Sequence, residues 1–369
     1  PPRSTLFPYT TLFRSLSSLT GLLAMSGDSV RFADNPELPE AMPCRDDEDI
    51  GDICGQPNLK RALEIAAAGG HHVLLFGPPG VGKTMAGRRL SGLLPLLDDE
   101  DAFILTKLHS LAGALPQGGG LLRRPPFRAP HHSASPEGLL GGGRLSRPGE
   151  ISLAHGGVLF LDEAPEFRAD ILQSLREPLE DGIISLARAE RVVRYPSCFQ
   201  LVLACNPCPC GNLGRDGAVC LCSYQDIRRY WKRLGGALLD RIDIRIPLHP
   251  IDPTELIRGS GEHSDAVRVR VGAARQRQRR RYAKDPWKLN ARLSPQGIAS
   301  HVTLEGTARD HFSRLAREAC LSSRACHGIL KVARTIADLD GSDGIQREQL
   351  DEAFSLRRYG EEDLSWQIP

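Results

Sequence analysis

The sequence predicts an α/β fold, a parallel-sheet core followed by a small, mostly helical domain. Two observations carry this. Short apolar runs at 71–76, 158–161 and 199–205 alternate with helical stretches at 59–68 and 169–179, as parallel strands joined by helical crossovers do. Beyond Pro250 strand-like runs cease and the chain reads as helix. A length of 369 residues, 41% hydrophobic and 25% charged, suits two domains around a buried core. The same arithmetic excludes other classes. With 47 Lys and Arg against 45 Asp and Glu, the net charge of +2 is unlike that of an indiscriminately basic protein. Aromatics at 5% are sparse for folds that stack bases. No run approaches the roughly 18 apolar residues of a membrane span, so no membrane partner is expected.

Taken in order, residues 1–15 (PPRSTLFPYTTLFRS) contain a near-repeat, TLFPYT/TLFRS, and are expected to be adapter-like sequence foreign to the protein. Arg14 and the apolar stretch after it mimic a signal peptide, but Ser17, Ser18, Thr20 and Gly21 break it; residues 16–51 read as a linker. The helical stretch 59–68 stops at Gly69-Gly70, and the apolar run 71–76 is bounded by Gly77-Pro78. Residues 113–157 hold eleven glycines and six prolines in forty-five positions and are expected to be surface loops and turns rather than helix. Residues 183–193 alternate as a hairpin does. The expected organisation is a core over 52–250, a basic helical connector over 251–289 and a helical domain over 290–369.

The chemistry concentrates at Gly77-Pro78-Pro79-Gly80-Val81-Gly82-Lys83-Thr84, which matches G-x-x-x-x-G-K-[ST] between an apolar strand and a helical stretch. Glycines let backbone N–H groups converge on phosphate oxygens at the start of a helix. Lys83 supplies charge to the β and γ phosphates, and Thr84 offers its hydroxyl to Mg²⁺. The run Val158–Leu161 ends in Asp162-Glu163. After a phosphate loop, that pair places Asp162 in the Mg²⁺ shell and lets Glu163 orient and polarise the attacking water; alone, it is equally a solvated strand end. ATP and Mg²⁺ are the expected ligands.

Longer motifs carry a resemblance: GQPNLKRALEIAAAGGHHVLLFGPPGVGKTMAGRRL, RRPPFRAPHHSAS, GGGRLSRPGEISLAHGGVLFLDEAPEF, ACNPCPCG, LLDRIDIRI and LKVARTIADL. Over about residues 52–358 the chain resembles AAA+ ATPases of the magnesium-chelatase-like ComM/YifB family. The resemblance implies a P-loop AAA+ parallel-sheet core followed by a small helical lid domain. It also implies an N-terminal domain, missing here, of which residues 16–51 would be a remnant. By the same resemblance, Asn206 is the sensor-one residue that helps position water, Arg241 the arginine finger that reaches a neighbour's γ-phosphate, and Arg324 the sensor-two arginine of the lid. Each has a competitor. Asn206 before Pro207 also initiates a turn, Arg241 also suits a surface ion pair with Asp240 or Asp243, and Arg334 competes with Arg324. Gly328 stands where relatives often carry arginine. A finger makes sense only in an oligomer, and the resemblance implies a hexamer.

Of ten cysteines, Cys208, Cys210, Cys220 and Cys222 form C-x-C…C-x-C, four thiolates within fifteen residues that can close a tetrahedral structural Zn²⁺ site. The alternative is buried free thiols, which the interleaved Gly211, Gly214 and Gly217 disfavour. Dilute cysteines otherwise indicate a reducing, cytoplasmic location. Basic residues cluster at Arg123, Arg124, Arg128, His131 and His132; at Arg188, Arg191 and Arg194 in the hairpin; and over 268–292, which holds ten Lys and Arg. The hairpin arginines would sit where related ring ATPases put pore loops that track phosphates. The last cluster is equally a solvated helix face. His131-His132 lacks the acidic or thiol partner of a metal site and reads as loop.

The expected function is an ATP-driven ring motor on branched or single-stranded DNA, resembling the ComM-type branch-migration helicase of transformation and recombination. The alternative is a motor that remodels a protein partner, as the magnesium-chelatase subunit does. A nucleotide-binding scaffold is a third class, and the presence of both Glu163 and Arg241 argues against it.

Overall fold

The computed structural model describes residues 49–357 apart from 116–119, 144, 189–190, 216, 253 and 255–260, so the expectations for residues 1–15 and most of 16–51 lie outside the described residues. Strands form at β1 Val73–Phe76, β2 Phe127–Arg128, β3 Gly141–Gly142, β4 Arg147–Pro148, β5 Val158–Leu161, β6 Ile183–Arg188, β7 Arg191–Pro196, β8 Gln200–Cys205 and β9 Ile244–Pro247. Five of them build one sheet in the order β2-β5-β8-β1-β9. It is parallel throughout, with Val73 opposite both Val202 and Ile244, and Val158 opposite Phe127 and Gln200.

Successive residues of a strand point to opposite faces, so a run that is apolar at every position is buried on both. Val73, Leu75, Val158, Phe160, Val202 and Ala204 enter one core, with helices Pro57–Gly69, Lys83–Leu93 and Ser264–Arg281. Leu74, Phe76, Leu159, Leu161, Leu201 and Leu203 enter a second, with Phe167, Ile227 and Trp231. Strand β1 lies between β8 and β9, both far later in the chain. Open α/β sheets bind ligands outside the carboxyl ends of their strands at such a switch in order.

The helical domain comprises Pro295–His301, Ala308–Glu318, Ser323–Asp340 and Arg347–Ser355. Ile329, Val332, Ala333 and Ile336 of Ser323–Asp340 join the same apolar core as β1. A buried polar network reinforces that seam. His71 bridges Asp243 Oδ2 at 2.9 Å and Thr335 Oγ1 at 2.8 Å. Asn290 Nδ2 donates to Thr335 Oγ1 at 3.0 Å and to Asp338 Oδ2 at 2.9 Å, and Asp338 also accepts from Arg281 and Arg334. Burial alone would raise the Asp243 carboxyl, but the His71 hydrogen bond and the charges of His71, Lys331 and Arg357 outweigh it and hold it at about 2. Among the described residues no helix is long and apolar enough to cross a membrane.

Two expectations are corrected. The stretch 169–179 is not one helix but two, Ala169–Ser174 and Arg176–Asp181. Pro178 has no N–H for the carbonyl of Ser174 and its ring clashes there, so the first helix ends a turn earlier. Nor is 113–157 only loop. It supplies the edge strand β2, the β3-β4 ribbon, and the short helices Pro136–Leu140 and Glu150–Leu153, the former capped by the Ser135 hydroxyl accepting from Gly138 N.

Candidate active site

The phosphate loop leaves the carboxyl end of β1 and turns into helix Lys83–Leu93. Gly80 and Gly82 take φ of +84° and +90°, left-handed values that bend the loop without a Cβ penalty. Lys83 Nζ donates to Gly77 O at 2.6 Å, Pro78 O at 2.9 Å and Asn206 Oδ1 at 3.0 Å. Burial pushes the Lys83 pKa down. The ammonium is thus held inside the loop by oxygens that phosphate oxygens can replace.

Asp162 and Glu163 sit beyond the carboxyl end of β5. Thr84 Oγ1 donates to Asp162 Oδ2 at 2.7 Å, and Glu163 N to Asp162 Oδ1 at 3.0 Å. A hydroxyl and a carboxylate at this spacing form an all-oxygen donor pair, which fits Mg²⁺. Glu163 is exposed, with a left-handed φ of +49° that swings its side chain out of the strand. His132 meets it there, Nδ1 lying 3.5 Å from Glu163 Oε2. Thr84, Arg88, His131, His132, Asp162 and Glu163 share the wall of one cavity of about 270 Å³. The loop reading of His131-His132 therefore missed a functional neighbour, and only the RAPHHS motif itself hinted at it.

Asn206 follows β8 directly and leads into the cysteine cluster. Cys208 Sγ lies 3.4 Å from Cys210 Sγ and 3.7 Å from Cys220 Sγ, with Cys210 and Cys220 also 3.7 Å apart. All four ligand atoms, Cys222 included, lie within 4.8 Å of one another. Zn–S bonds of about 2.3 Å in a tetrahedron put sulfurs about 3.8 Å apart, so the residues fit zinc. A backbone hydrogen bond from Asn212 draws the Cys210 thiol down, whereas burial pushes the Cys208 and Cys222 thiols up. Against expectation, one of the four, Cys208, is fully buried: it follows β8 so closely that it packs into the second core.

The arginines lie elsewhere. Arg241 and Arg324 both donate to Glu180 Oε1, the latter at 2.6 Å. Around them a cleft of about 1000 Å³ opens beside His72, Gly157, Phe199 and Asp243, residues that precede β1, β5, β8 and β9. These arginines thus occupy the amino end of the sheet, opposite the phosphate loop at its carboxyl end. The surface pairing of Arg241 with Asp240 or Asp243 is replaced by pairing with Glu180. Arg334 is buried in the helical domain against Asp338 and the carbonyls of Ser342 and Asp343. A Cβ on Gly328 would lie 2.8 Å from Arg357 Nη1 and 2.9 Å from Asp243 Oδ1, so a larger side chain there requires those two side chains to shift.

The model for magnesium chelatase, subunit ChlI, matches residues 49–256, and the model for its C-terminal part matches residues 261–357. The chain belongs to the magnesium chelatase ChlI family. The AAA+ α/β core followed by a helical domain, expected from the sequence, is present. This chelatase-family chain is 44% identical over 327 residues to YifB of Escherichia coli, covering 88% of the chain and 63% of the relative. It is 45% identical over 311 residues to the competence protein ComM of Haemophilus influenzae, covering 84% and 60%. A Mycobacterium tuberculosis protein is 42% identical over 313 residues, covering 85% and 62%. The chain thus spans about three fifths of the length of these curated relatives.

In this chelatase-family chain most of the basic clusters are tied internally. Arg128 pairs with Glu150 at 2.5 Å and Arg123 with Asp99 at 2.7 Å. Along Ser264–Arg281, Arg270 binds Glu64 and Glu262, Arg275 the Ala67 carbonyl, Arg277 the Asp338 carbonyl and Arg281 the Asp338 carboxylate. Several of its arginines are therefore tied to neighbouring elements, while Arg279 and Arg280 lie on its solvent-exposed face. In the β6-β7 hairpin Arg194 is exposed, while the side chains of Arg188 and Arg191 lie outside the described residues.

Proposed function

We propose that this chain is an Mg²⁺-dependent ATPase that works as a homo-oligomeric ring, a hexamer, moving on branched or single-stranded DNA in the cytoplasm. The observation that carries the ring is the separation of the candidate residues between the two ends of one sheet. The loop from Gly77 to Thr84 binds the phosphates, Lys83 exchanging its carbonyl acceptors for phosphate oxygens. Thr84 and Asp162 would hold Mg²⁺, which neutralises developing phosphate charge when bound. Glu163 polarises the attacking water, and Asn206, already bonded to Lys83, fixes where that water sits. Arg241 and Arg324 face away from their own nucleotide and complete the site of the next subunit, Arg241 stabilising transition-state charge in trans. Cys208, Cys210, Cys220 and Cys222 would hold a structural zinc ion.

Similarity to a protein named for competence directs the substrate reading to DNA, and exposed Arg194 on the hairpin suits contact with phosphates. ATPase activity measured with and without forked or four-way-junction DNA tests it. Stimulation, with binding that weakens as salt rises, is expected. Unchanged turnover without salt-dependent binding would leave remodelling of a protein partner, the alternative that the resemblance to the magnesium-chelatase subunit implies. Metal analysis of the purified chain is expected to return about one zinc per four-thiolate site.

A further inference from the structure

We propose that the cysteine knuckle is a metal-dependent clamp on the phosphate loop: closed on zinc, it holds Pro79 and Asn206 in place, and loss of the metal lowers affinity for ATP. This rests on the nucleotide and zinc readings above and adds the regulation of one by the other.

The contact is direct. Gly211 lies between the cysteine pairs with φ of +75°, and a Cβ there would stand 2.9 Å from Pro79 Cγ and 3.0 Å from its Cδ. Backbone alone therefore lies against the proline at the bend of the phosphate loop. Gly211 N donates to Cys208 O at 3.0 Å, so the atoms touching Pro79 are positioned by the segment that carries the first ligand. On the other side, Asn206 is two residues from Cys208 and accepts from Lys83 Nζ at 3.0 Å. One short segment thus braces both the loop and the lysine.

The two halves of the knuckle are unequally held. The first is anchored: Cys208 is buried, and Trp231 Nε1 donates to Pro207 O at 3.1 Å. The second is not. Val219 and Leu221 are 75% and 88% exposed, and Asn212 reaches the Val219 carbonyl only at 3.4 Å. A loop with so little apolar burial is ordered by its metal, whose binding energy serves as local folding energy. Without it, Cys220 and Cys222 keep only their partial packing against the core, and the turn at Gly211 loses much of its far support.

The test is nucleotide affinity, read with a fluorescent ATP analogue in Mg²⁺ buffer, on the full chain as purified, after chelator stripping and removal of the chelator, and after zinc is restored. Stripped protein is expected to bind about tenfold more weakly or worse, about 1.4 kcal/mol, and zinc but not further Mg²⁺ is expected to restore it. Circular dichroism checks that stripped protein remains folded. Gly211→Ala supplies an independent arm: all four thiols and the zinc stay, yet the new methyl pushes on Pro79, so affinity should fall with metal content unchanged. Unchanged affinity in folded, stripped protein or in zinc-replete Gly211→Ala overturns the clamp alone. So does a purified chain with under half an equivalent of zinc that takes up none. Absence of nucleotide binding by the zinc-loaded chain overturns the clamp and the ATPase reading together.

Discussion

The proposed function gives Lys83 and Glu163 separable duties, and substitution should separate them. Lys83→Ala is expected to abolish nucleotide binding, whereas Glu163→Gln should bind ATP normally and lose on the order of 10²–10⁴ in turnover, read as phosphate release. His132 touches only Glu163 of that pair. An exposed pair at 3.5 Å contributes about 0.2–1 kcal/mol, so His132→Ala should lower kcat by at most about fivefold with KM unchanged. A second histidine governs stability rather than turnover. Burial first, then the charge of Arg292, pushes the His72 imidazole down to about 3, and its Nδ1 accepts from Leu201 N at 3.0 Å. A depressed histidine stays neutral when folded but gains a proton when unfolded below about pH 6.5. Stability should therefore fall with pH through that value, by about 2 kcal/mol at pH 5. Denaturant titration across pH 5–8 checks this, and His72→Asn should remove that part of the slope. The phosphate loop and the acids after β5 were legible because their chemistry depends on neighbours in sequence. His132 was not, since Glu163 lies thirty-one positions away and only folding of the Gly/Pro-rich insert brings them together.

Helix Ser323–Asp340 shows why elements were harder to read than motifs. Its start is written locally, with Ser322 accepting from Ala325 N, and so is its end at Gly341 with φ of +82°. Its polar interior is not. Asp338 is fully buried and takes Arg281, Arg334 and Asn290 from two other parts of the chain as well as its own turn. Asp338→Ala leaves the buried Arg334 and the partly buried Arg281 without their carboxylate and should cost about 3–5 kcal/mol, measured by chemical denaturation. The same non-local pairing explains the helix Ser264–Arg281. Counting its arginines gave a basic surface, whereas the acids and carbonyls that consume them come from helix Pro57–Gly69 and from Asp338. Charge counts along one element do not report the charges across from it.

For the molecule as a whole, strand order followed from the alternation of apolar runs and helices only as far as a parallel sheet; that β1 sits between β8 and β9 needed the fold. Nor could spacing show that Arg241 and Arg324 converge on Glu180, for the three lie on separate elements. If those arginines act in trans, a Lys83→Ala chain and an Arg241→Ala chain should each be inactive alone, and mixing them should restore turnover that neither shows, because each retains the half the other lacks. Recovery absent after verified co-assembly would place Arg241 outside catalysis. The opposed ends of the sheet also set a counting rule. A row of subunits with two open ends completes one fewer site than it has chains, leaving an unserved phosphate loop at one end and idle arginines at the other. If the arginines act in trans, joining those ends completes the last site at no cost in new chains, so ATP should favour closing the circle and its depletion should let the circle open.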